Sequence, residues 1–293
     1  MNSNSPPTIL MELDPGIIYA YASDLLKEDL GRGDITTQSI VRGGARARGR
    51  FLARQDFVLC GLEIAEAVFS TLDANIQLES RVYDGESIRA GSEFAIIEGP
   101  AAVLLTAERT ALNLMQRLSG VTTLTREFVN RISGTGAQII DTRETTPGLR
   151  LLEKYAVSVG GGLNHRFGLD DGVLITDNHI ALAGGVRRAL ELARGSTPHS
   201  MRIEIEVISQ SQLREALAAG AEVIMLSNMN AAALRESVEA IRKQSPNVIV
   251  EASGGVSLET VRDIAESGVD LIAVSAITQS ATAVDISLTT MPL

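Results

Sequence analysis

Arg202–Gly255, RIEIEVISQSQLREALAAGAEVIMLSNMNAAALRESVEAIRKQSPNVIVEASGG, carries the pattern that decides the fold. Three short apolar runs, RIEIEV, EVIML and NVIVEA, are each followed by a stretch with apolar residues at helical spacing. That spacing predicts helices over 209–219, 230–243 and 257–267. The pattern continues toward the N-terminus, where AQIID leads to a predicted helix over 148–159 and GVLIT to one over 180–194. Toward the C-terminus, LIAV closes the series. Strands that alternate with helices in this way form parallel β/α units, either in a barrel or in an open doubly wound sheet.

The polar residues favour the barrel. They collect where strands end, at Arg143, Thr176, Glu206, Ser227–Asn228, Glu251–Ser253 and Ser275. Side chains contributed from the C-terminal ends of many strands are how a β/α barrel builds a site. A doubly wound sheet concentrates its site at one switch point, often with G-x-G-x-x-G after the first strand, and no such fingerprint follows a strand here. The stretch is too short for eight full units of roughly 30 residues each, which predicts a barrel with fewer strands or an incomplete wall.

The first part of the chain follows a different pattern. Its first dozen residues read as a loose arm, and Pro15–Glu28 places Ile18, Tyr21, Ala22, Leu25 and Leu26 at helical spacing. From Ala45 to Gly99, β-like runs flank a helical GLEIAEAVFSTL, and a helix is predicted over Val103–Leu118. This mixture predicts a separate α+β layer. The whole chain of 293 residues is 45% apolar and 21% charged, with a net charge of −10. That balance excludes disorder and argues against a general nucleic-acid or anionic-membrane surface, while leaving room for a small basic pocket. Cys60 is the only cysteine, no secretory leader is visible, and no apolar run reaches membrane-spanning length. The expectation is a cytoplasmic protein in a reducing compartment.

Several segments carry chemistry. In Asp141–Gly148, DTRETTPG, Thr146 can cap a helix with Pro147 in its first turn. Arg143 stands just past a buried strand, where a guanidinium calls for an anionic partner. GGGLNHRFG, Gly160–Gly168, predicts a tight turn followed by His165-Arg166, a pair suited to a carboxylate or phosphate. In TDNHI, Asp177 or Asn178 can cap the next helix. Glu204 and Glu206 share one face of a strand, where a carboxylate near a barrel mouth can hold a sugar hydroxyl or hydrated Mg²⁺. Ser253–Gly255 and Val274–Ala276 are turns whose backbone N–H groups suit phosphate.

These segments, with EDLGRGDITT at Glu28–Thr37, GLEIAEAVF at Gly61–Phe69 and AERTALNLMQRLSG at Ala107–Gly120, resemble the quinolinate phosphoribosyltransferase family over nearly the whole chain. The resemblance implies a type II phosphoribosyltransferase architecture. An N-terminal α/β sandwich would span 1–118, completed by about 281–293, and an open α/β barrel of seven strands would span 119–280. It implies a homodimer or an assembly of dimers. The implied reaction joins quinolinate to phosphoribosyl pyrophosphate with Mg²⁺, releasing nicotinate mononucleotide, CO₂ and pyrophosphate in NAD synthesis. By the resemblance, Arg109 reaches the neighbouring subunit's substrate, Arg143, His165 and Arg166 bind substrate carboxylates, and Thr142 also contacts the substrate. Glu206 lies near the ribose and, through water, the metal. Ser253, Gly254 and Gly255, with Ser275 and Ala276, hold phosphate. Three pocket positions depart from the family's pattern, with Glu144 and Thr176 replacing lysines and Ser227 an aspartate. Ser275 and Gln279 also replace a glycine and a histidine. Two alternatives therefore stand beside the family reaction: a less anionic heterocycle as acceptor, and a non-catalytic homologue used for binding.

Overall fold

The computed structural model describes residues 11–293, so the expected N-terminal arm falls almost wholly outside the described residues. The chain begins with α1 (Pro15–Leu30), α2 (Ile35–Ile40), β1 (Arg46–Ala53), β2 (Phe57–Val58), α3 (Leu62–Leu72) and β3 (Gln77–Ser80). Then come β4 (Ser87–Ile88), β5 (Glu93–Pro100), α4 (Ala101–Arg131), β6 (Gln138–Ile140), α5 (Arg150–Gly160) and β7 (Val173–Ile175). They are followed by α6 (Asp177–Ala183), α7 (Val186–Ser196), β8 (Ile203–Val207), α8 (Gln210–Ala218), β9 (Val223–Ser227) and α9 (Ala231–Gln244). The last elements are β10 (Ile249–Ser253), α10 (Val261–Ala265), β11 (Leu271–Ala273), α11 (Ala276–Gln279) and β12 (Ile286–Pro292). Two compact units emerge. One comprises the chain up to Arg126, Leu151–Gly160 and Ala281–Leu293; the other comprises Glu127–Arg150 and Gly161–Ser280. None of the helices is long and apolar enough to cross a membrane among the described residues.

The first unit is built on an antiparallel sheet ordered β12-β1-β5-β3. Phe51 on its inner face stacks edge-on against Phe69 of α3, with ring centroids 6.5 Å apart. Asp14 caps α1 by accepting from the N–H groups of Gly16 and Ile17, and Ile18, Ala22 and Leu26 form the buried stripe. The helix expected to stop at Leu118 continues to Arg131. The sequence beyond Ser119 looks like a helix end because it holds Gly120 and a run of β-branched residues. Packing overrides that preference. A β-carbon on Gly120 would lie 2.2 Å from the Thr282 carbonyl oxygen, so glycine is needed for close approach. The hydroxyls of Thr123 and Thr125 bond the carbonyls of Ser119 and Val121, and Thr122 bonds that of Ala156. The Gly160 end of the triple-glycine segment serves the same purpose, since a β-carbon there would meet Thr125 at 2.6 Å.

In the second unit, six parallel strands run in the order β6-β11-β10-β9-β8-β7. A parallel bridge between Ile140 and Leu163 continues the sheet past β6. His165, two residues beyond that bridge, lies 3.0 Å from Glu204 on β8, on the far side of the sheet order. The sheet must curl to make this contact, as an open barrel does. Two predicted helices are revised. The one expected over 180–194 is α6 and α7, separated at Gly184 and Gly185, whose φ values of 87° and 132° cannot continue a helix. The one expected from 148 begins at Arg150, because Gly148 has φ 83° and the Leu149 N–H closes a turn on the Thr146 carbonyl. Thr146-Pro147 therefore makes a turn and caps no helix. The helix expected over 257–267 shortens to Val261–Ala265, since Ser257 and Thr260 close a turn first.

Candidate active site

Parallel strands all release their chain at one end, and the second unit gathers its polar residues there. Beyond β6, Asp141 is fully buried and organises the neighbouring loop. It accepts the His165 N–H at 2.7 Å and the Asn164 carboxamide at 2.8 Å. His165 is thereby turned inward, with Nε2 3.0 Å from Glu204 and 3.9 Å from Glu251. Its Nδ1 accepts the Arg166 N–H at 2.7 Å, so the ring proton sits on Nε2 and is donated to Glu204. Both nitrogens of His165 engage groups of the chain.

Glu251 is almost fully buried. Burial, then the neighbouring Glu204 charge and a hydrogen bond to it, push the Glu251 pKa well above the carboxylate range. Each glutamate leaves one oxygen, Oε1, buried without a hydrogen-bond partner. A proton held between two carboxyls accounts for both. The same groups, with donor atoms within 4.8 Å of one another, have the spacing of a metal site. An ion there would require Glu251 to give up its proton.

Arg166 borders this cluster. Its Nη1 donates to the Gly172 carbonyl at 2.8 Å, and its Nε is buried without a partner. Burial lowers its pKa, and the positive charge of Arg143 adds to the effect while Glu204 opposes it. Two like-charged guanidiniums held near each other form a site ready for an anion. Arg150, which the sequence did not single out, fixes the two loops that carry them. It bonds Thr145 Oγ1 and the Arg143 carbonyl on one loop and the Phe167 carbonyl on the other. An arginine opening a helix, where the dipole disfavours a cation, was the available signal.

Around this core, the Glu144 side chain is exposed and makes no ion pair among the described residues. Its backbone is pinned, the N–H to Thr142 Oγ1 and the carbonyl by Thr278. Thr176, and neither Asp177 nor Asn178, is the N-cap of α6, with its hydroxyl 2.8 Å from His179 Nδ1. Glu206 is half-buried on β8, and Ser227 is buried at the end of β9. The Ser253–Gly255 turn has φ 90° at Gly254 and 66° at Gly255. No bond within the chain takes up the N–H groups of Gly254, Gly255, Ser275 or Ala276 among the described residues. Consecutive amides left open in such turns form a concavity suited to a phosphate. Arg109 is exposed on α4 in the first unit.

Comparison with known proteins agrees with this geometry. Residues 34–119 match the family model for the quinolinate phosphoribosyl transferase N-terminal domain, and 121–289 the one for its C-terminal domain. The chain is 45% identical over 262 residues to a probable nicotinate-nucleotide pyrophosphorylase (carboxylating) of Bacillus subtilis, covering 89% of each chain. It is 42% identical over 266 residues to the nicotinate-nucleotide pyrophosphorylase (carboxylating) of Mycobacterium leprae, covering 90% of this chain and 93% of that one. The crystal structure of NadC from Streptococcus pyogenes superposes with a TM-score of 0.91 at 35% identity, covering 97% of this chain and 99% of that one.

Proposed function

The chain belongs to the quinolinate phosphoribosyltransferase family, and from that premise we propose that it transfers phosphoribose from phosphoribosyl pyrophosphate to the ring nitrogen of a pyridine carboxylate, quinolinate first among the candidates. The observation that carries this reading is the Arg143–Arg166 pair beside turns with open backbone amides. Arginines of this kind hold carboxylates and compensate charge as pyrophosphate departs. Decarboxylation then needs no base, only fixed carboxylates and a positively charged ring nitrogen. Asp141 and the Glu204–Glu251 pair orient the loop that presents Arg166.

Mg²⁺ belongs to this reading as the partner of the pyrophosphate. Glu206, half-buried and without an ion pair among the described residues, suits a hydrated cation and would hold it through water. The bound ion would neutralise phosphate charge. A dimer also belongs to it, with exposed Arg109 serving the partner's site; light scattering at micromolar concentration should report at least a dimer.

A second reading has its own support. Glu144 adds an unpaired carboxylate and the Thr176 hydroxyl is engaged at a helix start, so an acceptor with fewer negative charges than quinolinate fits better. One assay separates the two: purified protein, phosphoribosyl pyrophosphate and Mg²⁺, with quinolinate or a monocarboxylate, following pyrophosphate release. Turnover with neither acceptor overturns the proposed reaction.

A further inference from the structure

Asn228 follows β9 and is the one residue other than glycine with positive φ, 56°, among the described residues. It is exposed, so core packing does not explain the conformation. Asparagine tolerates this region better than most residues, yet unusual backbone at a strand end within a site is a hint of function. Its contacts say which. The Asn228 N–H donates to the Ser253 carbonyl at 2.9 Å, tying the end of β9 to the turn after β10. The carboxamide Nδ2 donates to Ser227 Oγ at 3.3 Å. Its Oδ1 fills the space above Gly254, where a β-carbon would lie 2.2 Å from Oδ1 and 2.8 Å from Cγ. Asn228 and Gly254 thus fit as a matched pair, each requiring the other's shape. The turn they shape has left-handed backbone at both glycines and no internal acceptor for the N–H groups of Gly254, Gly255 or Val256 among the described residues.

We propose that Asn228 is a positioning residue whose carboxamide props the Ser253–Gly255 turn open, so that its amides converge on the phosphoryl oxygens of a phosphorylated sugar. The identification of that ligand as phosphoribosyl pyrophosphate rests on the function proposed above; the propping role does not. The decisive variant is Asn228→Gly, which keeps the left-handed backbone available and removes only the carboxamide.

Calorimetry with inorganic pyrophosphate tests the role without any turnover, and steady-state kinetics and thermal melting accompany it. Asn228→Gly should weaken pyrophosphate binding, and raise the KM for phosphoribosyl pyrophosphate, on the order of tenfold, the loss usual for a residue that orients a binding group. The KM for the heterocyclic acceptor and the melting temperature should stay near wild type. Gly254→Ala should also lose pyrophosphate, since a side chain at φ 90° strains the turn whatever space Asn228 leaves. Unchanged pyrophosphate binding in Asn228→Gly overturns the proposal. So does a fall in melting temperature with both KM values shifted together. Failure of turnover with every acceptor, while Asn228→Gly still loses pyrophosphate, would discard the proposed reaction and leave this role standing.

Discussion

Two buried glutamates, one in each unit, show how differently the chain handles a carboxylate out of water. Glu153 in α5 is fully buried and meets the Arg117 guanidinium at 2.8 and 3.0 Å on a single oxygen. Glu251 on β10 is equally hidden, but no guanidinium or ammonium group pairs with it among the described residues, and His165 Nε2 lies 3.9 Å away. The first is compensated by an opposite charge, the second by retaining its proton. An ion pair locks two segments of chain together and serves the fold. A carboxyl that keeps its proton beside a second carboxyl lets burial and proton sharing set the charge of a pocket floor, and keeps the arginines above it available for ligand.

The sharpest way to break this comparison is to remove one partner of the ion pair. Arg117→Leu removes the guanidinium that meets Glu153 and should cost about 3–5 kcal/mol of stability in urea titration. Glu251→Gln, which mimics the neutral carboxyl, should cost far less. A large loss for Glu251→Gln would mean that residue is ionised after all.

Next in size is the charge of the pocket itself. Glu144→Lys with Thr176→Lys installs the two lysines of the family pattern and changes the local charge by about +3. Quinolinate turnover should rise on the order of a hundredfold, a few kcal/mol of screened attraction. Ordinary wild-type efficiency with quinolinate would show that Glu144 turns away from the ligand.

A third test uses pH. The Glu251 pKa is raised by folding, so the folded state binds its proton more tightly than the unfolded state does. Its contribution to stability is complete below the ordinary glutamate value of about 4.3 and is lost as pH climbs toward the raised value, by at most about 1.4 kcal/mol per pH unit. Urea midpoints across neutral to alkaline pH should fall in wild type and flatten in Glu251→Gln.

How much of this was legible depends on the residue. The barrel strands and the ends carrying Arg143, Arg166, Glu206 and Ser253 could be read because strand, helix and polar terminus repeat in a fixed order. Glu251 was visible as a strand-end residue, and its setting in NVIVEAS marks it as buried, but nothing local says that Glu204 stands beside it. That contact depends on the curl of the sheet. The glycines at 184 and 185 were hidden by the apolar spacing on both sides, and β3 by its polar composition, QLES. Gly120 and Gly160 misled because a glycine that admits a neighbouring backbone looks the same in sequence as one that ends a helix.

The pairing of β12 with β1 has a consequence in time. Phe51 sits between Ala95 and Leu288, so one neighbour of β1 follows soon in the chain while the other comes after the whole second unit. During synthesis, at about 5–20 residues per second, β1 waits on the order of tens of seconds with an open edge. Arg46, Arg48 and Arg50 alternate along it, and charged side chains of this kind discourage a stray strand from docking in the interval. The ribosome therefore sets a clock on the first unit: begun early, it can close its sheet only when almost all the rest has been made.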